Sequence, residues 1–181
     1  MLVSGGGTNL QALFDAFHDS PIAKIATVIS NRPDAGALER ARRSNVPAVV
    51  LEKASDATEL LEALHDIDIV VLAGYLKLVP AAVVRRFRGR MINIHPALLP
   101  DFGGPGMYGH HVHEAVLASG ARESGATVHF VDEAFDRGAI IAQERVPVKP
   151  GDTPETLAAR VLEAEHRLLP RVVLELARQM V

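Results

Sequence analysis

The 181-residue chain contains no cysteine and no tryptophan, and only 4% of it is aromatic. Without cysteine there is no disulfide, no thiolate metal site and no cysteine nucleophile, which accords with a reducing compartment. Long apolar runs are missing as well. None approaches the ~18 residues needed to cross a bilayer, and the N-terminal stretch lacks the charged start, apolar middle and small-residue cleavage site of a signal peptide. A cytoplasmic chain with no membrane role is the expectation. Positive charge is not in excess: 19 Lys and Arg against 22 Asp and Glu leave a net charge of −3, so no basic footprint points to nucleic acid.

What is present is an aliphatic chain, 48% hydrophobic and 23% charged. This suits one compact domain across residues 1–181, with a core of Ala, Val, Leu and Ile. A short strand at Leu2 to Ser4 leads through Gly5-Gly6-Gly7-Thr8-Asn9 into a helical pattern with Leu10, Leu13, Phe14 and Phe17 at spacings of three and four. Strands follow at Ile25 to Ser30, Ala48 to Leu51, Ile67 to Ala73 and through Met91-Ile92-Asn93-Ile94-His95. Helices lie between them: one capped by Asp34 and reaching Arg43, one from Ser55 or Asp56 to Leu64, and one from Ala81 to Phe87. This alternation predicts an α/β fold, an open and mostly parallel sheet with helices on both faces.

After a Gly- and Pro-rich loop (Pro96 to Gly109) and a helix near Val112 to Ser119, extended segments at Thr127 to Val131 and Ala139 to Val146 follow each other closely. Asp132 to Gly138 is too short for a crossover helix, so the two should form an antiparallel pair at one sheet edge. Asp152-Thr153-Pro154-Glu155 then opens a long helix toward Met180, with a bend expected at Pro170.

Three features carry chemistry. The glycine loop before a helix suits an anion, because glycine lets backbone approach a ligand and the helix start offers unpaired N–H groups. It is not a P-loop, and the dinucleotide pattern would want glycine where Leu10 stands; a mononucleotide or sugar phosphate fits better, against the plainer reading of a tight turn. The histidines His110, His111 and His113, with His129 not far along, match no zinc spacing and sit where solvated helix starts are ordinary, so no metal is expected. His18 and His65 read as surface positions, and His166 as core, surface or support. Finally, Asn93 and His95 share one strand face, and Pro96 ends the strand at the edge where open α/β sheets bind ligands. An amide and an imidazole aimed together can donate to one developing oxyanion, with Asp136 the best acidic partner to keep the imidazole charged; the alternative is a pair that satisfies loop backbone.

The blocks SGGGTNLQAL, VLAGYLKLVP, INIHPALLP, HFVDEAFDRG and EAEHRLLP, in this order, resemble the phosphoribosylglycinamide formyltransferases over essentially the whole chain. The resemblance implies a Rossmann-like formyltransferase fold and direct transfer of the formyl group of 10-formyltetrahydrofolate, without a metal, to the amine of 5′-phosphoribosylglycinamide in purine biosynthesis. It implies that Gly6, Gly7, Thr8 and Asn9 hold the 5′-phosphate and that Glu165 binds the ribose hydroxyls. Leu76, Lys77, Leu78 and Val79 would wall the folate's pterin, with Val84 deeper and Asp132 to Asp136 closing over it. Asn93, His95 and Asp136 would be catalytic and His129 a support. The partners would be small molecules, and the protein a monomer or homodimer.

Two departures accompany the resemblance. The first strand is shorter than the family's, which should weaken the sheet beneath the phosphate loop. The helix before VVLAG also lacks the arginine that meets the folate's glutamate tail, leaving Lys53 or Lys77 to substitute. Rival readings are a transferase acting on tRNA, which would need a basic surface, a formyltetrahydrofolate hydrolase, which would lack this phosphate loop, and a non-catalytic sugar-phosphate binder.

Overall fold

The computed structural model describes residues 1–180. In chain order they form β1 (Leu2–Val3), α1 (Thr8–Phe17), β2 (Val28–Ser30), α2 (Gly36–Arg43), β3 (Ala48–Val50), α3 (Ala57–Ala63), β4 (Val70–Ala73), α4 (Ala81–Arg86), β5 (Met91–His95), α5 (His110–Ala118), β6 (Glu123–Phe130), β7 (Ile140–Pro147) and α6 (Pro154–Arg178). The strands make one sheet in the order β3-β2-β1-β4-β5-β6-β7. β1 to β5 are mutually parallel, and β6 runs antiparallel to both β5 and β7.

Alternation along the strands divides the core in two. Val3, Val28, Val71, Ala73, Ile92 and Ile94 face one side and pack with buried residues of α1, α2, α5 and α6. Leu2, Ile29, Val70, Leu72 and Met91 face the other and pack against Leu60 of α3 and Val83 and Val84 of α4. Burial on both faces explains why β4 is the uninterrupted run Val70-Val71-Leu72-Ala73, every residue of it buried.

Two polar features end elements differently from expectation. Asp34 does not cap α2; Ala35 occupies that position, and Asp34 pairs with Arg32 at 2.8 Å. Thr153 caps α6 through a capping box with Thr156, freeing the Asp152 carboxylate to take both terminal nitrogens of Arg160 at 2.7 and 2.8 Å. α6 continues through Pro170, whose ring removes the donor the His166 carbonyl would otherwise receive. β6 starts at Glu123, four residues before the expected Thr127, because Gly125 lets the β7 carbonyl of Glu144 approach where a Cβ would collide. β1 is two residues long: Leu2 and Val3 pair with β2 on one side, and Leu2 with β4 on the other.

α6 is the chief cover of the first core side. Its buried Leu157, Val161, Ala164 and Leu168 recur at spacings of three and four, a single stripe along the helix. Leu168→Ala should destabilise the chain by about 3 kcal/mol, the combined loss of transfer free energy and a partly collapsed cavity, measured by urea denaturation.

Candidate active site

The chain runs outward from β1 to β3, then returns to lay β4 on the other side of β1. Such a reversal opens a crevice beyond the carboxyl ends of the strands. A cleft of about 880 Å³ lies there, lined by residues that follow β1, β4 and β5, by the β6–β7 connection, and by α5 and α6.

The glycine loop forms one end of the cleft. Gly7 holds a left-handed φ of 76°, and a Cβ there would stand 2.7 Å from that of Ala37, so only glycine fits. No side chain caps α1, which leaves its first N–H groups open to an anion. Asn9 Nδ2 donates to Glu165 Oε2 at 2.7 Å, while Asn9 Oδ1 is buried without a partner. Burial pushes the Glu165 carboxyl up to about 7, with the Asn9 bond opposing the shift.

Ser4 connects the three strand ends that meet here. Its hydroxyl donates to Asn31 Oδ1 at 2.5 Å and accepts from the Leu76 N–H at 3.0 Å, and its own N–H donates to the Gly74 carbonyl. Leu76 begins the second wall, where Leu76, Lys77, Leu78 and Val79 line the cleft. Leu76 and Leu78 are 43% and 49% exposed, and Phe135, also exposed, lines the same cleft, which leaves apolar surface available to a flat ring system.

The polar centre lies between these ends. Asn93 sits directly opposite His129 across β5 and β6, and its Nδ2 lies 3.1 Å from His129 Nε2 and 3.4 Å from Asp136 Oδ1. His129 Nδ1 donates to the Phe130 carbonyl at 2.8 Å, and its Nε2 faces Asp136 Oδ1 at 3.4 Å as well as the Asn93 amide. Asp136 Oδ2 lies 3.6 Å from His95 Nδ1 and accepts from the Gly104 N–H at 2.9 Å. Asp136 itself holds a left-handed φ of 54°.

Burial raises the Asp136 carboxyl, but the bond to His129, the neighbouring His95 and the Gly104 N–H outweigh it and hold the group below the usual carboxylate range. For His95 the balance goes the other way. Burial pulls its pKa below that of an ordinary imidazole, with Asp136 and the Phe102 carbonyl opposing and His129 adding to the fall. His95 Nε2 donates to the Phe102 carbonyl at 2.8 Å, which leaves Nδ1 as the ring nitrogen that faces Asp136.

Gly6, Gly7, Thr8, Asn9, Leu76, Lys77, Leu78, Val79, Asn93, His95, His129, Asp132, Asp136 and Glu165 thus border one cleft. Val84 does not. It is buried in the core between α4 and the sheet, because α4 turns that face inward. Lys53 is also absent from the lining, whereas Lys77 is there. His113, expected from the sequence to be solvated, is buried, lines the cleft, and leaves Nδ1 without a partner. Its place between Val112 and Val116 on the inward face of α5 was the available signal. His110 by contrast pairs with Glu114 at 3.2 Å, and among the described residues no group of three or more ligating side chains is placed to hold a metal ion.

The formyl transferase family model matches residues 1–173. The chain is 47% identical to the chloroplastic phosphoribosylglycinamide formyltransferase of Arabidopsis thaliana, over 96% of its own length and 63% of the plant protein's, so it spans somewhat under two thirds of that relative. It is 43% identical to the phosphoribosylglycinamide formyltransferase of Haemophilus influenzae, over 96% of this chain and 84% of that one. The crystal structure of phosphoribosylglycinamide formyltransferase from Anaplasma phagocytophilum superposes with a TM-score of 0.91 at 37% identity, covering 98% of this chain and 85% of that one. The chain therefore belongs to the formyl transferase family and, within it, to the phosphoribosylglycinamide formyltransferases.

Proposed function

We propose that the chain transfers the formyl group of 10-formyltetrahydrofolate to the amine of 5′-phosphoribosylglycinamide, in purine biosynthesis. The observation that carries this is the meeting, in one cleft, of an uncapped glycine loop with a buried carboxylate at one end and the Asn93, His95 and Asp136 group in the middle. In this reading residues 1–181 act as one formyltransferase domain, in the cytoplasm, as a monomer or homodimer. No described helix is long and apolar enough to cross a membrane.

The residues fit both ligands. Gly6, Gly7, Thr8 and Asn9 offer N–H groups to a phosphate, and Glu165 stands one side chain away to accept from ribose hydroxyls. The exposed Leu76 and Leu78, with Val79 and Phe135, suit the pterin of the folate, and Asp132 to Asp136 form its cover. When bound, 10-formyltetrahydrofolate supplies the formyl carbon and the leaving nitrogen. Lys77 is the cation on this wall available to the folate's glutamate tail.

Asn93 supplies the amide hydrogen. Its long 3.4 Å contact with Asp136 is the bond that yields most easily, so one N–H can turn to the formyl oxygen as charge gathers there, while the 3.1 Å contact with His129 fixes the amide. Burial favours the neutral form of His95, so Nδ1 can take the proton released by the attacking amine, with Asp136 stabilising the new charge. It then returns that proton to the leaving nitrogen, and the enzyme ends as it began. His129 keeps Asn93 and Asp136 in register from the neighbouring strand.

Formyl transfer measured with and without 5′-phosphoribosylglycinamide tests the reading. Folate turnover is expected only when the ribonucleotide is present; turnover without it would identify a hydrolase, and no turnover at all a binding protein. Asn93→Ala, His95→Ala and Asp136→Ala should each lower kcat by roughly 10²–10³, the loss of one preorganised donor or its support, with little change in ribonucleotide affinity. Near-normal turnover in Asp136→Ala would remove its assigned role.

Glu165 gives a pH signature. Its folded pKa of about 7 lies above the ordinary 4.5, so its favourable contribution is full below the unfolded value and is lost as pH rises through the folded one. Glu165→Gln should therefore melt about 5 °C above the parent chain near pH 8 and together with it near pH 4, read by calorimetry in the absence of ligand.

A further inference from the structure

The glycine loop owes its orientation to α2, a helix that does not line the cleft. The Gly5 carbonyl accepts from the Ala37 N–H at 3.1 Å, and the Gly6 carbonyl accepts from Arg40 Nε at 2.8 Å. In a trans peptide the N–H points opposite to the C=O of the same plane. Drawing these two carbonyls toward α2 therefore turns the N–H groups of Gly6 and Gly7 away from it, to the side where both residues border the cleft. Neither N–H has an acceptor elsewhere in the described residues. The Gly7 carbonyl accepts from the Gln11 N–H, which leaves the Thr8 N–H at the open helix end.

The two carbonyls are held by different means. Ala37 uses backbone at the start of α2, where Gly36 packs against Gly6 closely enough that a Cβ would lie 3.4 Å from the Gly6 Cα. Arg40 uses a side chain, and its Nη1 also donates to Gln11 Oε1 at 3.2 Å in the first turns of α1. One guanidinium thus grips the loop and the helix that follows it, with its positive charge directly behind the N–H groups. Among the described residues no other arginine or lysine side chain hydrogen-bonds the loop.

We propose that Arg40 is a positioning residue for the phosphate monoester: it fixes the Gly6–Gly7 peptide with the N–H toward the ligand and places a cation behind it, without touching the ligand. This rests on the reading of the glycine loop as the phosphate site. It assigns affinity for the phosphorylated substrate, and not the chemical step, to a residue outside the cleft.

Steady-state kinetics on the intact chain test it, with ribose 5-phosphate as a competing probe. Arg40→Met should raise KM for 5′-phosphoribosylglycinamide, and the inhibition constant of ribose 5-phosphate, by about 10-fold each, the loss of one charge-assisted bond. The kcat and the folate KM should stay within about twofold, and Arg40→Lys should recover most of the lost affinity by keeping the charge and one donor. If Arg40→Met does not fold, Arg40→Gln replaces it, with a smaller rise in both constants expected. Unchanged constants would overturn the proposal, as would a fall in kcat and melting temperature with KM unmoved, or a lysine variant no better than methionine. A parent chain in which ribose 5-phosphate does not compete with the ribonucleotide would instead overturn the phosphate-site reading beneath it.

Discussion

A carboxylate that is 10% exposed must be surrounded by donors or it will not stay ionised, and Asp136 is where that requirement organises the cleft. It meets Asn93 from β5, His129 from β6, His95 at the strand end and the Gly104 N–H from the long loop. Each partner comes from a different stretch of chain, and each is oriented by a second contact of its own. Those second contacts, to the Phe130 carbonyl for His129 and the Phe102 carbonyl for His95, fix which ring nitrogen holds a hydrogen. The loop from Pro96 to Gly109 therefore holds both His95 and Asp136, since its Phe102 and Gly104 backbone groups reach one apiece. Gly103 between them has no space for a side chain, with Leu99 and the Asp136 Cβ against it.

The sheet makes this convergence possible. β5 is parallel to β4 but antiparallel to β6, so the chain can bring His129 opposite Asn93 while the β6–β7 connection loops back over the same strand end. Parallel strands on the other side deliver the glycine loop and the Leu76 wall to the same edge. The glycine-loop end of the cleft and its polar centre are products of one topological reversal.

Much of this was legible in the residues. Strand and helix order followed from periodicity because both sheet faces are buried, which makes strands short and continuously apolar. The pairing of Asn93 with His95 was visible from their spacing. What could not be read was long-range electrostatics: no pattern reveals that burial outweighs Asp136 and pulls the His95 pKa down, since that balance depends on how deep the ring lies. Nor could it show that His113 turns inward, as a histidine at a helix start between two valines fits either side. Val84 was misplaced for a related reason, since its apolar character suits a core and a ligand pocket equally. The early start of β6 was hidden because Glu123-Ser124-Gly125 has poor strand propensity, overridden by pairing with β7.

The Ser4 hydroxyl, accepting from the Leu76 N–H while donating to Asn31, joins the start of the glycine loop to the start of the apolar wall. In the proposed reaction, two ligands seated at these places are measured from a common origin. The distance between a bound nucleophile and a bound acyl carbon becomes a property of the sheet rather than of either ligand. Much of the entropy of bringing two reactants together is then met when the chain folds, before either arrives, and that advantage is an effective concentration beyond anything free solutes attain.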